Sequence, residues 1–116
     1  MDRAEAGRRA EEAAAALLQA KGMTLLERNF FARAGEIDLI MKDKDEVVFV
    51  EVRARSTMGW GGAAGSVGGK KIRRVVTAAK LWLKVRGWEG ACRFDVVAQE
   101  GGTFEHYEAA FDADGR

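Results

Sequence analysis

Two short segments, residues 35–40 and 47–53, carry acidic side chains in a pattern that could bind a metal ion. In each segment apolar residues alternate with other residues at the two-residue period of a β-strand. The polar run between them, residues 42–45, is typical of a turn, so the two segments are predicted to form a β-hairpin. We place the centre of the turn at Lys44 and Asp45, which fixes the pairing of the two strands.

This pairing brings charged side chains face to face. Asp38 then lies opposite Glu51, and Glu36 lies opposite Arg53. The Cβ atoms of facing residues are roughly 4.5–5.5 Å apart, which is close enough for two carboxylates to share one divalent cation. One face of the hairpin is therefore a candidate active site, and the other face is predicted to hold apolar residues: Ile37, Leu39, Val48, Val50 and Val52.

The same pattern also fits an ordinary strand with one solvent-exposed face, on which Glu36 and Arg53 form a cross-strand ion pair. Two features argue for a site instead. Like charges that face each other destabilise a hairpin, so Asp38 opposite Glu51 requires compensation. Glu51 also interrupts an apolar run, where a carboxylate is costly unless it is paired or bound to metal. A one-residue slip in register would separate the charged groups, so the residues alone leave both interpretations open.

The composition limits the class of protein. A chain of 116 residues can form one domain with a buried core. Its net charge of +1 indicates no partner, and only the run 70–74 is locally basic. The single cysteine, Cys92, excludes an intrachain disulfide and a thiolate metal cluster, which fits a reducing cytoplasm. No segment approaches the roughly 20 apolar residues of a membrane span, so we predict a cytoplasmic protein without a membrane partner.

The order of the predicted elements is mixed α/β, within a single domain of residues 1–111. Helix formers and apolar periodicity predict helices, and alternation predicts further strands on either side of the hairpin. The predicted helices are residues 3–20 and 70–86, and the additional strands are residues 23–30, 93–98 and 103–107. Residues 56–69 are predicted to be a flexible glycine-rich loop, and residues 112–116 a frayed C-terminal tail.

Two aromatic side chains outside the hairpin bear on function. Trp60 lies in the glycine-rich loop, where an exposed indole could stack on a nucleic-acid base. His106 is the only histidine, so a histidine-rich zinc site is excluded. Because His106 falls on a predicted edge strand, we expect it to be a surface residue.

The hairpin motif resembles that of a known family. Its GEIDLI segment, followed by FVEVR and then Arg55, is similar to the signature GEIDLI and FVEVK-x-R of the YraN-type family of predicted endonucleases. The similarity extends over nearly the whole chain. The further matches are Gly7, Ala10, Glu11, Arg28, Asn29, Lys71, Arg73, Arg74, Arg93, Phe94, Asp95, Ala110 and Phe111.

This resemblance implies a restriction-endonuclease-like fold, a central mixed β-sheet flanked by helices, as in the PD-(D/E)XK nucleases and the similar archaeal Holliday junction resolvases. It implies that Asp38 and Glu51 bind Mg²⁺ or Mn²⁺ and that Glu11 approaches from the first helix. The implied activity is hydrolysis of phosphodiester bonds in DNA, including branched DNA. Relatives of this fold often act as dimers, so the resemblance is also compatible with a homodimer.

Other residues of the implied site would act on the phosphates. Lys71 and Arg74 are expected to hold flanking phosphates, and Arg55 and Trp60 are added as nucleic-acid contacts. Arg53 occupies the position of the family's lysine. An arginine stays protonated, so it can stabilise negative charge but cannot act as a base. The alternative function is therefore a nucleic-acid-binding protein with a degenerate nuclease site.

Overall fold

The computed structural model describes residues 2–55 and 68–114, with the side chains of residues 54 and 55 excepted. These residues form two helices and five strands. In chain order they are α1 (Arg3–Ala20), β1 (Thr24–Ala32), β2 (Gly35–Asp43), β3 (Glu46–Arg55), α2 (Gly69–Arg86), β4 (Cys92–Glu100) and β5 (Thr103–Phe111). Trp60, which is predicted to stack on a base, lies outside the described residues. So do most of the predicted glycine-rich loop and the end of the predicted C-terminal tail.

The five strands form one mixed sheet in the order β1-β2-β3-β4-β5. Three of the four pairings are antiparallel, and the central pairing of β3 with β4 is parallel. A parallel pair requires a crossover connection, and α2 provides it. The model therefore confirms the α/β class with a central mixed sheet flanked by helices, an architecture compatible with the restriction-endonuclease-like fold.

Helix α1 has clear sequence signals at both ends. The Asp2 side chain caps it by accepting a hydrogen bond from the backbone N–H of Glu5 at 2.7 Å. The helix interior is rich in alanine, the residue with the highest helix propensity. After the C-cap at Lys21, Gly22 adopts a φ of +100°, which a glycine accepts without strain. The predicted bounds of this helix are confirmed.

Helix α2 begins one residue before the predicted start. Its N-cap is Gly68 and its first residue is Gly69, so the last two positions of the predicted loop belong to the helix start. At the other end Gly87 ends the helix in the left-handed conformation, with φ +68°. The apolar stripe of the helix packs on the sheet, and Trp82 is buried as the spacing predicts.

The two helices cover opposite faces of the sheet and define two separate cores. Buried alanines of α1 and Leu18 pack on one face, over Leu39 and Val50. The apolar stripe of α2 packs on the other face, over Phe49, whose ring meets that of Trp82 edge-on with centroids 5.7 Å apart. Strands β2, β3 and β4 thus have apolar residues on both faces, which is the pattern of a sheet covered on both sides.

The alternation of side chains between these faces is broken within β2. Leu39 belongs to the core under α1, whereas Ile37 belongs to the core under α2. Asp38 lies between them, and the register of β1 with β2 places Asn29 opposite it. Asn29 has a φ of +49°, a left-handed conformation that asparagine adopts more readily than most residues. The prediction that Ile37 shares a face with Leu39 is therefore wrong.

The prediction that His106 is a surface residue is also wrong, because its side chain is only 1% exposed. Its Nε2 lies 2.7 Å from Oδ2 of Asp95, and its Nδ1 lies 2.9 Å from Nζ of Lys21. An ammonium group only donates, so Nδ1 accepts and Nε2 carries the proton that is donated to Asp95. The histidine thus bridges β5 and β4 to the end of α1.

Asp95 is the centre of this buried network. It is fully buried and also accepts hydrogen bonds from Nε of Arg93 and from the backbone N–H of Ala109, each at 3.0 Å. Ala109 has a φ of +49° where the pairing of β4 with β5 shifts register. The carboxylate therefore fixes the irregular end of β5, and the burial of His106 follows from this partner.

Candidate metal-binding active site

The β2–β3 hairpin has the register that the sequence predicts. Its pairing runs from Asp43 opposite Glu46 to Leu39 opposite Val50, around a turn at residues 44 and 45. The next positions along this register are those of Asp38 and Glu51. There the Asp38 side chain accepts a hydrogen bond at 2.8 Å from the backbone N–H of Val52.

Three carboxylates converge at this end of the hairpin. Carboxylate oxygens of Glu11, Glu36 and Asp38 lie within 4.8 Å of one another. Glu11 comes from α1, and Nδ2 of Asn29 donates to its Oε1 at 3.0 Å. The left-handed residue that breaks the strand alternation is thus also the residue that holds Glu11 towards the cluster.

Glu51 completes the acidic group from β3. It is only 2% exposed, and its Oε2 has no hydrogen-bond partner among the described residues. Lys71 on α2 places its Nζ 3.7 Å from that oxygen. This distance permits an electrostatic attraction but not a hydrogen bond. Among the described residues the buried oxygen is therefore left unsatisfied unless Asp38 beside it carries a proton or a cation binds.

Burial and the close approach of these carboxylates raise the pKa of two of them. Burial and the neighbouring carboxylate of Glu51 together raise the pKa of Asp38 from 3.8 to about 8, against the opposing hydrogen bond from Val52. Burial also raises the pKa of Glu36, with a contribution from Asp38. The negative charge of this group is therefore only partly compensated by protein cations.

An open pocket of about 430 Å³ surrounds these carboxylates. Cations and small side chains form the rest of its wall. They are Arg3, Arg53, Lys71, Ala6, Gly7, Ala10 and Val52. The pocket thus combines an acidic centre with a basic border, and it lies where the two helices approach the same end of the sheet.

The structure brings together five of the residues that the sequence and the resemblance nominate: Glu11, Asp38, Glu51, Arg53 and Lys71. It does not bring Arg74 to the pocket. The Cβ of Arg74 instead packs against the start of β2, so close that a Cβ at Gly35 would lie 2.9 Å from it. The side chain of Arg55 and all of Trp60 lie outside the described residues.

Two residues of the site are not nominated as such by the sequence. The predicted register places Glu36 on the acidic face of the hairpin but does not nominate it as a ligand, although its carboxylate belongs to the cluster. Asn29 appears only as a family match, although its side chain holds Glu11. The alternation of the hairpin was a signal for Glu36, but no local pattern indicates a left-handed asparagine within a strand.

Replacing Asn29 with glycine is expected to weaken divalent-cation binding about tenfold, because glycine accepts the left-handed backbone but removes the amide that holds Glu11. Asn29→Asp loses the same donor but adds a negative charge that attracts a cation, so its loss of affinity should be smaller. The measurement is calorimetric titration with Mn²⁺, and equal affinities of both variants and the parent protein would contradict the role of Asn29.

The residues present fit a hard divalent cation. Carboxylate oxygens are the ligands that Mg²⁺ and Mn²⁺ prefer, and the pocket offers four carboxylates. The unsatisfied Oε2 of Glu51 and the raised pKa of Asp38 both indicate that positive charge is missing. Asp38 and Glu51, with Glu11 and Glu36 beside them, could therefore hold such an ion.

The fold and pocket define an α/β protein with a carboxylate-lined pocket at one end of a mixed sheet. The comparison with protein families then identifies the family: the chain belongs to the Uncharacterised protein family UPF0102, whose model matches residues 10–98. This result agrees with the resemblance to the YraN-type family at the level of the family.

Several similar relatives carry the description UPF0102 protein. One from Pseudomonas syringae pv. tomato (strain ATCC BAA-871 / DC3000) is 50% identical over 107 residues, covering 89% of this chain and 84% of the relative. One from Pseudomonas putida (strain W619) is 52% identical over 98 residues, covering 83% and 80%. One from Anaeromyxobacter dehalogenans (strain 2CP-C) is 49% identical over 115 residues, covering 95% and 86%.

Proposed function

We propose that this protein is a metal-dependent endonuclease that hydrolyses phosphodiester bonds in DNA, with branched DNA among its substrates. The observation that carries the proposal is the buried Oε2 of Glu51, to which no residue in the described part of the chain donates a hydrogen bond, in a pocket with three other carboxylates. The family resemblance of the hairpin motif supports the same chemistry. A cytoplasmic location and a homodimer remain predictions from the sequence.

In this proposal Asp38 and Glu51 hold Mg²⁺ or Mn²⁺, with Glu11 and Glu36 next to them. When bound, the ion supplies charge neutralisation on the phosphate and acidifies a coordinated water. Asn29 engages Oε1 of Glu11, which leaves Oε2 to accept a hydrogen bond from the attacking water. The position of Glu11 is therefore set before substrate binds.

The cations of the pocket act on the phosphate. Lys71 lies beside Glu51 and is one-third exposed, so it can reach a phosphate oxygen at the mouth of the pocket. Arg53 offers a planar guanidinium that suits a phosphate, and it stabilises the charge that develops in the transition state. It remains protonated throughout, so the proton of the attacking water has to pass to a carboxylate such as Glu11 or to solvent.

The test is incubation of the purified protein with linear duplex, single-stranded and four-way-junction DNA in Mg²⁺, in Mn²⁺ and in EDTA. We expect cleavage only with the divalent ions, and we expect Glu51→Gln to lower its rate at least 100-fold. Glu108→Gln, which removes an exposed carboxylate of β5, is the matched control and should cleave like the parent. Cleavage that persists in Glu51→Gln would identify a contaminating nuclease and contradict the proposal.

One observation favours a second candidate, a nucleic-acid-binding protein with an inactive site. Arg53 stands where the resembling family has lysine, and it lines the pocket. This candidate predicts salt-dependent binding that Lys71→Ala weakens, without cleavage in any metal. The variant Arg53→Lys discriminates the two. If it creates cleavage in a protein that otherwise only binds, the arginine is the cause of inactivity; if the parent already cleaves, the second candidate is wrong.

A further inference from the structure

One face of α1 forms a wall of the pocket. Arg3, Gly7 and Glu11 are spaced four residues apart and therefore lie above one another on the helix. Ala6 and Ala10 lie beside them and also line the pocket. We call the surface made by Ala6, Gly7 and Ala10 the small-residue face. It lies between Glu11 and Arg3, whose Cα atoms are about 12 Å apart along the helix axis.

Gly7 is not explained by the packing or backbone of the protein itself. A Cβ built on Gly7 would have no atom of the described residues within 4 Å, so no close approach of another element requires a glycine. Gly7 lies in the interior of α1 and does not have a positive φ. Glycine is the least favourable helix residue after proline. The absence of a side chain at this position thus has a cost to the helix and leaves open space in the pocket.

A separate observation points to a ligand in this pocket. Glu51, 98% buried, presents to it an oxygen that accepts no hydrogen bond from residues 2–55 or 68–114. A metal ion can satisfy that oxygen, but it occupies only the acidic centre of a pocket of about 430 Å³. The remaining space is bounded by Gly7 on one side and by Lys71 and Arg53 on the other. A ligand in that space has to be narrow where it meets the helix and negatively charged where it meets the cations.

We propose that the small-residue face is the docking surface for the sugar–phosphate backbone of the strand that enters the site. The open space at Gly7 admits the backbone to the carboxylates, and Arg3 contacts a phosphate beyond the one at the metal. This assignment rests on the proposed function, since it takes the substrate to be a nucleic acid. It adds two binding residues, Arg3 and Gly7.

The test compares the same added side chain at two positions of α1. Gly7→Leu fills the pocket, whereas Ala16→Leu adds a leucine at an exposed position away from it. Binding of a fluorescein-labelled 20-nucleotide single strand and of a duplex is measured in Ca²⁺, and Mn²⁺ affinity is measured without DNA. We expect Gly7→Leu to weaken DNA binding at least tenfold with Mn²⁺ affinity unchanged, and Ala16→Leu to bind DNA like the parent.

Two further variants separate blocking of the pocket from damage to the helix. Gly7→Ala should raise the melting temperature by a few degrees and still weaken DNA binding, which a purely structural role of Gly7 cannot produce. Arg3→Ala should reduce the slope of log affinity against log salt by about one unit. Parent-like DNA binding by Gly7→Leu would overturn the assignment.

The failure of this assignment and that of the proposed function are distinguishable. If the parent cleaves DNA and Gly7→Leu cleaves and binds equally well, the docking surface is wrong and the endonuclease stands. If the parent binds DNA in Ca²⁺ but cleaves nothing in Mg²⁺ or Mn²⁺, and Gly7→Leu loses the binding, the docking surface stands and the endonuclease is wrong. A parent protein that binds no DNA at low salt contradicts both.

Discussion

Asp38→Asn is expected to abolish divalent-cation binding and cleavage while making the metal-free protein more stable above pH 8. The folded-state pKa of Asp38 is about 8, against 3.8 for an ordinary aspartate. The folded protein therefore holds a proton that the unfolded chain releases. The stability that this provides is complete below about pH 4 and is lost as the pH rises through 8.

Asparagine imitates the protonated form of Asp38 at every pH. Its carbonyl oxygen can still accept from the backbone N–H of Val52, and its amide can donate to Glu51. Each pKa unit corresponds to about 1.4 kcal/mol, so we expect a gain of at least about 2 kcal/mol in the free energy of unfolding at pH 9. At pH 4 the gain should disappear.

The measurement is urea unfolding in EDTA at pH 4 and pH 9, together with calorimetric titration of Mn²⁺ at pH 7.5. Asp45→Asn, in the exposed turn of the hairpin, is the matched control and should change neither quantity. If Asp38→Asn still binds Mn²⁺ with the affinity of the parent, Asp38 is not a ligand of the proposed metal site. One that is less stable than the parent at pH 9 would contradict the raised pKa.

Asp95→Ala is expected to have the largest destabilising effect, at least about 2 kcal/mol, because Nε of Arg93 loses its acceptor and the guanidinium keeps only its pairs with two partly exposed carboxylates of β2 and β3. It also removes the acceptors of His106 and of the backbone N–H of Ala109. The measurement is again urea unfolding, in EDTA at pH 7. The loss is a large fraction of the total stability expected for a domain of this size.

Asp95→Asn provides the graded comparison. It keeps one acceptor oxygen but places an amide donor next to the donors of Arg93 and His106, so we expect an intermediate loss of stability. An average substitution changes the free energy of unfolding by about 1 kcal/mol. If the free energy of unfolding of Asp95→Ala differs from that of the parent by no more than this, the network does not stabilise the fold. Mn²⁺ binding by Asp95→Asn should be unchanged, because Asp95 does not line the pocket of the candidate site.

The elements and the hairpin register were predictable because their signals are local. Alternating residues mark β2 and β3, a polar run marks the turn, and Gly87 marks the end of α2. Because register follows from the position of the turn, the proximity of Asp38 and Glu51 could also be inferred from the sequence. Hairpin geometry, however, says nothing about a third element, so the approach of Glu11 came only from the family resemblance.

The features that could not be predicted depend on partners distant in sequence. The burial of His106 follows from Asp95 on the neighbouring strand and from Lys21 at the end of α1, and no pattern in β5 shows either. The wrong prediction that Ile37 shares a face with Leu39 has a different cause. A strand pattern assumes an unbroken period of two, and the left-handed Asn29 interrupts that period in β1 and in the strand beside it.

The topology of the sheet also sets an order in which the site can assemble. Strands β1, β2 and β3 form a meander of local contacts, which chains generally form quickly, whereas the parallel contact of β3 with β4 must wait for the whole crossover to close. The meander alone brings Asp38 and Glu51 together, but Lys71 arrives only when α2 docks. The ammonium group of Lys71 therefore joins the site late in folding, and an intermediate with an undocked crossover would hold Asp38 and Glu51 together without it.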